Sequence, residues 1–446
     1  MTFNIVCAKL ALSAREVVKT STQKDIYKSS RLFYIISAAL EYFISILTGS
    51  AYLAKLAGYS GIPDGTVGVL TSFISLGCAF QIVSLAMRTD RSVKRMVILM
   101  NLANQLCFSF LYVIPVINLP SGAKTAVFII LLLIGNILLN IPFSPKVTWS
   151  RMLIDDNKRG AFSAKCEITS LVSGMLFTMI MGRVIDDMET KGRAADAFIV
   201  CGITLFVLTA LHALCLIMMK EKAPEKDNDY TPLIKRLKDA IGDRNTLVLI
   251  PVFVLWNIAL YITTPFFGTY QINELGFSMT AVSVITVACS LVRSIVSAPL
   301  GALGDKRSFV VSTTLSLSAM AIGLVINSFG GAVCHIIYYI LYAVTLAGMN
   351  SGQMNLIFDY VEPKRRRGAI AILYTIGGLV GFFATLAAKP LVDKIQSDGN
   401  KFLFIENIYA QQVLSIIGSV LVVITAIYIN FRVKKLTRVT TNAQNT

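Results

Sequence analysis

Charge is scarce in this sequence: Asp, Glu, Lys and Arg together make 15% of 446 residues, while 55% are apolar or aromatic and the mean hydropathy is +0.68. That balance excludes an ordinary soluble globular protein. The eight cysteines, at 7, 78, 107, 166, 201, 215, 289 and 334, contain no Cys-x-x-Cys pair, so neither a disulfide framework nor a metal site is indicated. Histidine occurs twice, at His212 and His335, and both fall in apolar surroundings where a structural role outweighs a proton relay. No P-loop, His-Glu-x-x-His, Gly-x-Ser-x-Gly or Rossmann glycine pattern stands in a fitting context. No cofactor and no catalytic constellation is therefore expected. Residues 1–30 are too polar and basic for a signal peptide, so the first apolar run is expected to stay.

What the chain has instead is long apolar runs. About 20 apolar residues cross a bilayer as helix. Twelve such runs lie near 32–54, 67–87, 96–117, 125–143, 168–186, 197–219, 246–268, 279–300, 309–327, 333–356, 369–388 and 409–430. The expected fold is an all-α membrane protein with twelve transmembrane helices. With the N-terminus taken as inside, 32 Lys and Arg residues fall on the inner side and 8 on the outer, with Arg293 inside a run. This positive-inside bias predicts a multi-pass protein of the cytoplasmic membrane with both termini cytoplasmic. The net charge of +16 is then topology, helped by the anionic inner leaflet, and calls for no nucleic acid.

Composition divides the chain into a cytoplasmic segment (1–30), a six-helix bundle (31–219), a cytoplasmic linker (220–245), a second bundle (246–431) and a tail (432–446). In the linker, Thr231 and Pro232 open a short helix with Leu233, Ile234, Leu237, Ala240 and Ile241 on one face and Lys235, Arg236 and Lys238 opposite. That pattern predicts an amphipathic helix at the membrane interface.

The two halves repeat. Lys158-Arg159-Gly160-Ala161 before the fifth run matches Arg366-Arg367-Gly368-Ala369 before the eleventh. The stretch Pro299-Leu300-Gly301-Ala302-Leu303-Gly304-Asp305-Lys306-Arg307-Ser308 has a worn counterpart in Ala86-Met87-Arg88-Thr89-Asp90-Arg91-Ser92. The longer stretch reads as a very short loop between two helices. Its Gly-x-Leu-x-Asp-Lys pattern resembles the signature loop of the major facilitator superfamily, and the likeness extends over essentially all twelve runs. The resemblance implies two pseudo-symmetric six-helix bundles working by alternating access, with helices 1, 4, 7 and 10 around a central cavity. It implies a gating role for Asp90, Arg91, Gly301, Asp305 and Lys306.

Ionisable groups deep in a membrane are costly and therefore functional candidates. Glu41 lies about 14 Å into the first run and Arg293 about 12 Å from the inner face in the eighth. Glu41 reads as a proton- or cation-coupling carboxylate, a ligand for a polar substrate, or a structural group. Arg293 reads as a bidentate anion clamp, as the partner of Glu41, or as a brace near Asp305. Asn136 and Asn140, Asn257 beside Trp256, Tyr261, Tyr339 and Tyr342 supply directional polar groups among apolar walls, which suits a small polar ligand. Gln81, Thr263, Thr264, Asn350 and Gln353 are weaker candidates. The doublets Asp155-Asp156 and Asp186-Asp187 read as charges at helix termini or loops.

The function these features point to is a monomeric secondary active transporter, with proton- or cation-coupled uptake of a sugar or organic anion. Proton-coupled efflux of lipophilic compounds is the alternative within the class, and a membrane solute sensor the alternative outside it.

Overall fold

The computed structural model describes residues 27–86, 92–154, 159–221, 233–402 and 404–438. Twelve helices in it are long and apolar enough to cross a membrane: Lys28–Leu47, Asp64–Ser84, Lys94–Val116, Ser121–Asn140, Lys165–Thr190 and Ala194–Met218, then Arg244–Glu274, Met279–Lys306, Phe309–Ser328, Ala332–Tyr360, Gly368–Ser397 and Ala410–Lys435. They are spans 1 to 12 below. Twelve crossings put both described ends on one side, called here the terminal face; the other is the opposite face.

Two cores organise the helices. Leu47, Leu56, Phe128 and Leu205 centre one in the first six spans; Phe253, Leu317, Tyr338 and Leu356 centre the other in the last six. Lipid-facing side chains such as Ile168, Leu176 and Ile180 stay exposed, as a bilayer solvent allows. The linker helix forms over Leu233–Ile241, with Ala240 buried and Ile234 exposed. Its expected start at Thr231 and Pro232 lies outside the described residues.

The signature stretch is helix rather than loop. Span 8 continues through Pro299 to Lys306, and only Arg307 and Ser308 separate it from span 9. Membrane helices tolerate an internal proline because neighbours re-satisfy the freed carbonyl, so Pro299 does not end this one. Of the two glycines only Gly304 permits a close approach, since a Cβ there would lie 2.5 Å from the Phe309 ring; at Gly301 the space is open. Ser308 then caps span 9 by accepting from Val310 N at 3.1 Å.

The halves meet along spans 2 and 11 and, toward the opposite face, along spans 5 and 8. Glycine makes the first contact possible: a Cβ on Gly378 would fall 2.5 Å from the Ser75 carbonyl oxygen, and Ser75 Oγ donates to Gly378 O at 2.8 Å. At the opposite face, Gly68 of span 2 lies against the Phe266 ring and Gly268 against Ser50. Asn273 and Gln396, both of the second half, donate to the two oxygens of Asp64 at 2.8 and 3.1 Å. The ion pairs of the terminal face, Arg365–Asp243 and Arg438–Asp359, stay within the second half. Among the described residues no ion pair joins the halves there. The molecule is closed at the opposite face.

Candidate functional site

The first helix of each half is interrupted along its length. Span 1 stops at Leu47, turns at Thr48 and Gly49, and resumes over Ser50–Tyr59. Span 7 gives way at Thr263 to a tight turn through Pro265 and ends in a wide turn over Tyr270–Glu274. Broken helices expose backbone and side-chain polar groups only where protein or a cavity receives them.

A cavity of about 510 Å³ opens beside the break in span 1. Glu41 of span 1, Thr48 of the turn and Ser50 of the stretch that follows line it, with Thr71 and Ile74 of span 2, Asn104 and Gln105 of span 3, Asn136 of span 4 and Ser170 of span 5. A second chamber of about 240 Å³ shares Ser50, Thr71 and Ile74 with it and reaches across to Tyr261, Thr264, Tyr339 and Tyr342. The two make one path from the first half to the second. Its walls come from spans 2, 3 and 5 as well as from spans 1, 4, 7 and 10.

Glu41 is paired, and its partner corrects the sequence reading. Lys146 Nζ donates to Glu41 Oε2 at 2.6 Å, with the two side chains 13% and 35% exposed. Lys146 therefore is no loop cation at the membrane surface. After a two-residue turn at Ile141 and Pro142 the chain resumes as a helix over Phe143–Met152, which carries Lys146 to the carboxylate. The expected alternative pairing of Glu41 with Arg293 is thereby not formed. Behind the pair, His212 of span 6 is fully buried and bonded through Nδ1 to the Gln105 amide.

The asparagines do different work. Asn136, Asn140 and Asn257 each donate to the carbonyl four residues earlier, at 2.8–2.9 Å. Asn136 lines the larger cavity. Asn140 instead accepts from Gln81 Nε2 at 2.9 Å, and Asn257 packs on Gly377, so both stand outside the lining of the two cavities. Tyr261 and Tyr342 line the smaller chamber. His335 sits within a ring of Phe267, Tyr270, Tyr338 and Tyr339 and bonds Asn327 through Nδ1 at 2.8 Å. Asp305 and Lys306 are exposed at the end of span 8, with Gly301 one turn inside. Asp90 and Arg91, like Asp155 and Asp156, lie outside the described residues.

Among the lining groups, Ser50, Asn104 and Gln105 had no counterpart among the sequence candidates, and neither did Lys146, the partner of Glu41. Ser50 Oγ and Asn104 Oδ1 are buried without a hydrogen-bond partner among the described residues, which marks them as places for a ligand or water. Asn104 and Gln105 stand with Asn101 as amides in an apolar stretch of span 3, a signal of the same kind as Asn136 in span 4.

Solved structures share this fold. A mutant of the nucleoside transporter NupG superposes with a TM-score of 0.70 at 13% identity, over 90% of this chain and 99% of that one. A D-xylose-proton symporter gives 0.59 at 15% identity, over 88% and 96%. The E. coli fucose:proton symporter FucP gives 0.56 at 13% identity, over 91% and 97%. Likeness at such identities speaks to the fold alone. No curated protein sequence matches the chain. The family model of the major facilitator superfamily matches residues 34–385, most of its length. Twelve spans, two cores, broken first and seventh helices and a cavity between the halves agree with that match: the chain belongs to the major facilitator superfamily, a family of membrane transporters.

Proposed function

We propose that this protein is a secondary active transporter that takes up a small polar solute, driven by protons or another cation, with both termini in the cytoplasm. The observation that carries the reading is the path that joins the Glu41–Lys146 pair to Tyr261 and Tyr342 and is shut at the opposite face. A cavity-lining carboxylate paired with one lysine can exchange that partner for a cation when solute enters, which couples the two movements. The positive-inside bias supports the orientation, and the superposed fucose and xylose transporters are proton symporters. The polar lining groups suit a solute that needs directional bonds.

The test is solute uptake into proteoliposomes with an imposed pH or sodium gradient. Accumulation above the outside concentration that collapses with the gradient supports the reading. Equilibration without accumulation would make the protein a facilitator, and outward movement of lipophilic cations would make it an exporter.

Asp305 is assigned the gate of the second half: exposed here, it engages a neighbouring helix end when the molecule opens the other way. Asp305→Asn is expected to slow transport at least about tenfold, the scale of one charge-assisted bond, with solute affinity unchanged. Lost affinity in a folded variant would remove the gate.

A further inference from the structure

The lining of the two cavities holds one ionisable carboxylate, Glu41, and Lys146 neutralises it at 2.6 Å. Neither lining includes a cation, and Arg293, which stands next to the smaller chamber, has no such match. Cys289 of span 8 donates to Tyr339 O at 3.3 Å, which lays this face of span 8 against the tyrosine face of span 10. Arg293 is one turn further along the same face, half-buried and within electrostatic reach of the Tyr342 hydroxyl. Its main-chain carbonyl accepts from Ser297, but its guanidinium meets no carboxylate, carbonyl or hydroxyl among the described residues. Glu167, one turn from Ser170 toward the terminal face, and Asp305, three turns from Arg293 along span 8, are both exposed, and neither pairs with it.

A guanidinium cannot shed its charge, and holding it unmatched at this depth is unfavourable. Its planar fork fits a carboxylate by two parallel hydrogen bonds. One free cation balances one negative charge; a phosphate dianion would leave a charge over, and a neutral sugar would leave Arg293 unmatched. We propose that the solute is a small organic monocarboxylate. Arg293 grips the carboxylate, and the body lies in the chamber between Tyr261, Thr264 and Tyr342, where hydroxyls alternate with the apolar Ile74 and Leu260. The unpartnered Ser50 hydroxyl receives a polar group at its far end. This assignment rests on the transporter reading and names the class of its solute.

The experiment compares acids with neutral molecules of the same skeleton: glucuronate with glucose, and benzoate with benzamide. Binding to the purified full chain is read by thermal stabilisation, and movement by counterflow in proteoliposomes. At least one acid is expected to stabilise the wild type while its neutral mate does not. Arg293→Gln should weaken that acid about 10–100-fold, the scale of a charge-assisted bond, and Arg293→Lys by less, since lysine keeps the charge without the fork. An unliganded melting temperature equal to wild type shows that each variant folds. Equal stabilisation by acid and neutral mate, an Arg293→Gln variant that still prefers the acid, or no response to any acid overturns the assignment. Counterflow separates the two readings. A neutral solute that exchanges through wild type and Arg293→Gln alike leaves a transporter without this solute class, whereas no exchange of any solute removes the transporter itself.

Discussion

Lys146→Met is expected to destabilise the protein by about 1–3 kcal/mol, between the cost of breaking a buried ion pair and that of a surface one. The range follows from exposure: Lys146 is nearly enclosed at 13%, while Glu41 keeps 35% of its side chain open to the cavity. Glu41→Gln should cost a similar amount, because each single change leaves the other charge without its partner. The double variant Glu41→Gln/Lys146→Met removes both and should regain most of the loss, a coupling that a double-mutant cycle of thermal unfolding measures directly. Transport should behave otherwise. Any variant without Glu41 should lose gradient-driven accumulation by at least about tenfold, yet keep solute exchange, since the stabilising term and the coupling term sit on the same carboxylate but only the first can be restored without it. Single variants as stable as wild type would mean that the pair is loosely held. Accumulation retained in Glu41→Gln would place coupling elsewhere.

That pair also shows how far the sequence could be read. The spans were legible because a bilayer demands about 20 apolar residues per crossing, a constraint local enough to survive without homologues. Lys146 was not, because a lysine just past Pro142 reads as the loop cation that ends a span. Only the turn at Ile141 and Pro142 and the helix beyond it bring the side chain back to span 1. Pro299 misled in the same way: it reads as a loop, yet span 8 runs through it to Lys306. The asparagines illustrate a different limit. Their type and depth were legible, but Asn140 and Asn257 spend their donors on their own helices and pack against Gln81 and Gly377. Which face of a helix meets the cavity depends on the rotation of that helix against its neighbours, and in a chain apolar on all sides the hydrophobic pattern does not report it.

Removing the Asp186 carboxylate should open the face that is closed in this structure. Asp186, at the end of span 5, accepts from Met279 N at 2.8 Å and from Thr280 N at 2.7 Å. Those are the first two amides of span 8, in the other half of the molecule, and Ser278 takes the third through Ala281 N at 3.1 Å. A helix N-terminus favours an anion by its orphan donors and its dipole together, so Asp186 acts as a cap supplied across the interface. One turn back, Gly182 lies against Ser283, whose hydroxyl donates to Thr178 O at 3.0 Å. Spans 5 and 8 are thus joined from Thr178 to Asp186, and separating the halves here must strip the amides of span 8 of their acceptor. At about 1.5 kcal/mol for each of the two charge-assisted bonds, Asp186→Ala shifts the ratio of open to closed molecules about 150-fold. Met279 is fully buried in the contact, so a Met279→Cys background should react slowly with a membrane-impermeant maleimide from this side and about tenfold or more faster once Asp186→Ala is added. Asp187 supplies the control: its neighbour in sequence is the cap, but its own carboxylate points to Lys191 on the same helix at 2.6 Å and is mostly exposed. Asp187→Ala should leave labelling unchanged. Equal acceleration by both variants would mean that surface charge at this end of span 5, and not the cap on span 8, holds the face shut.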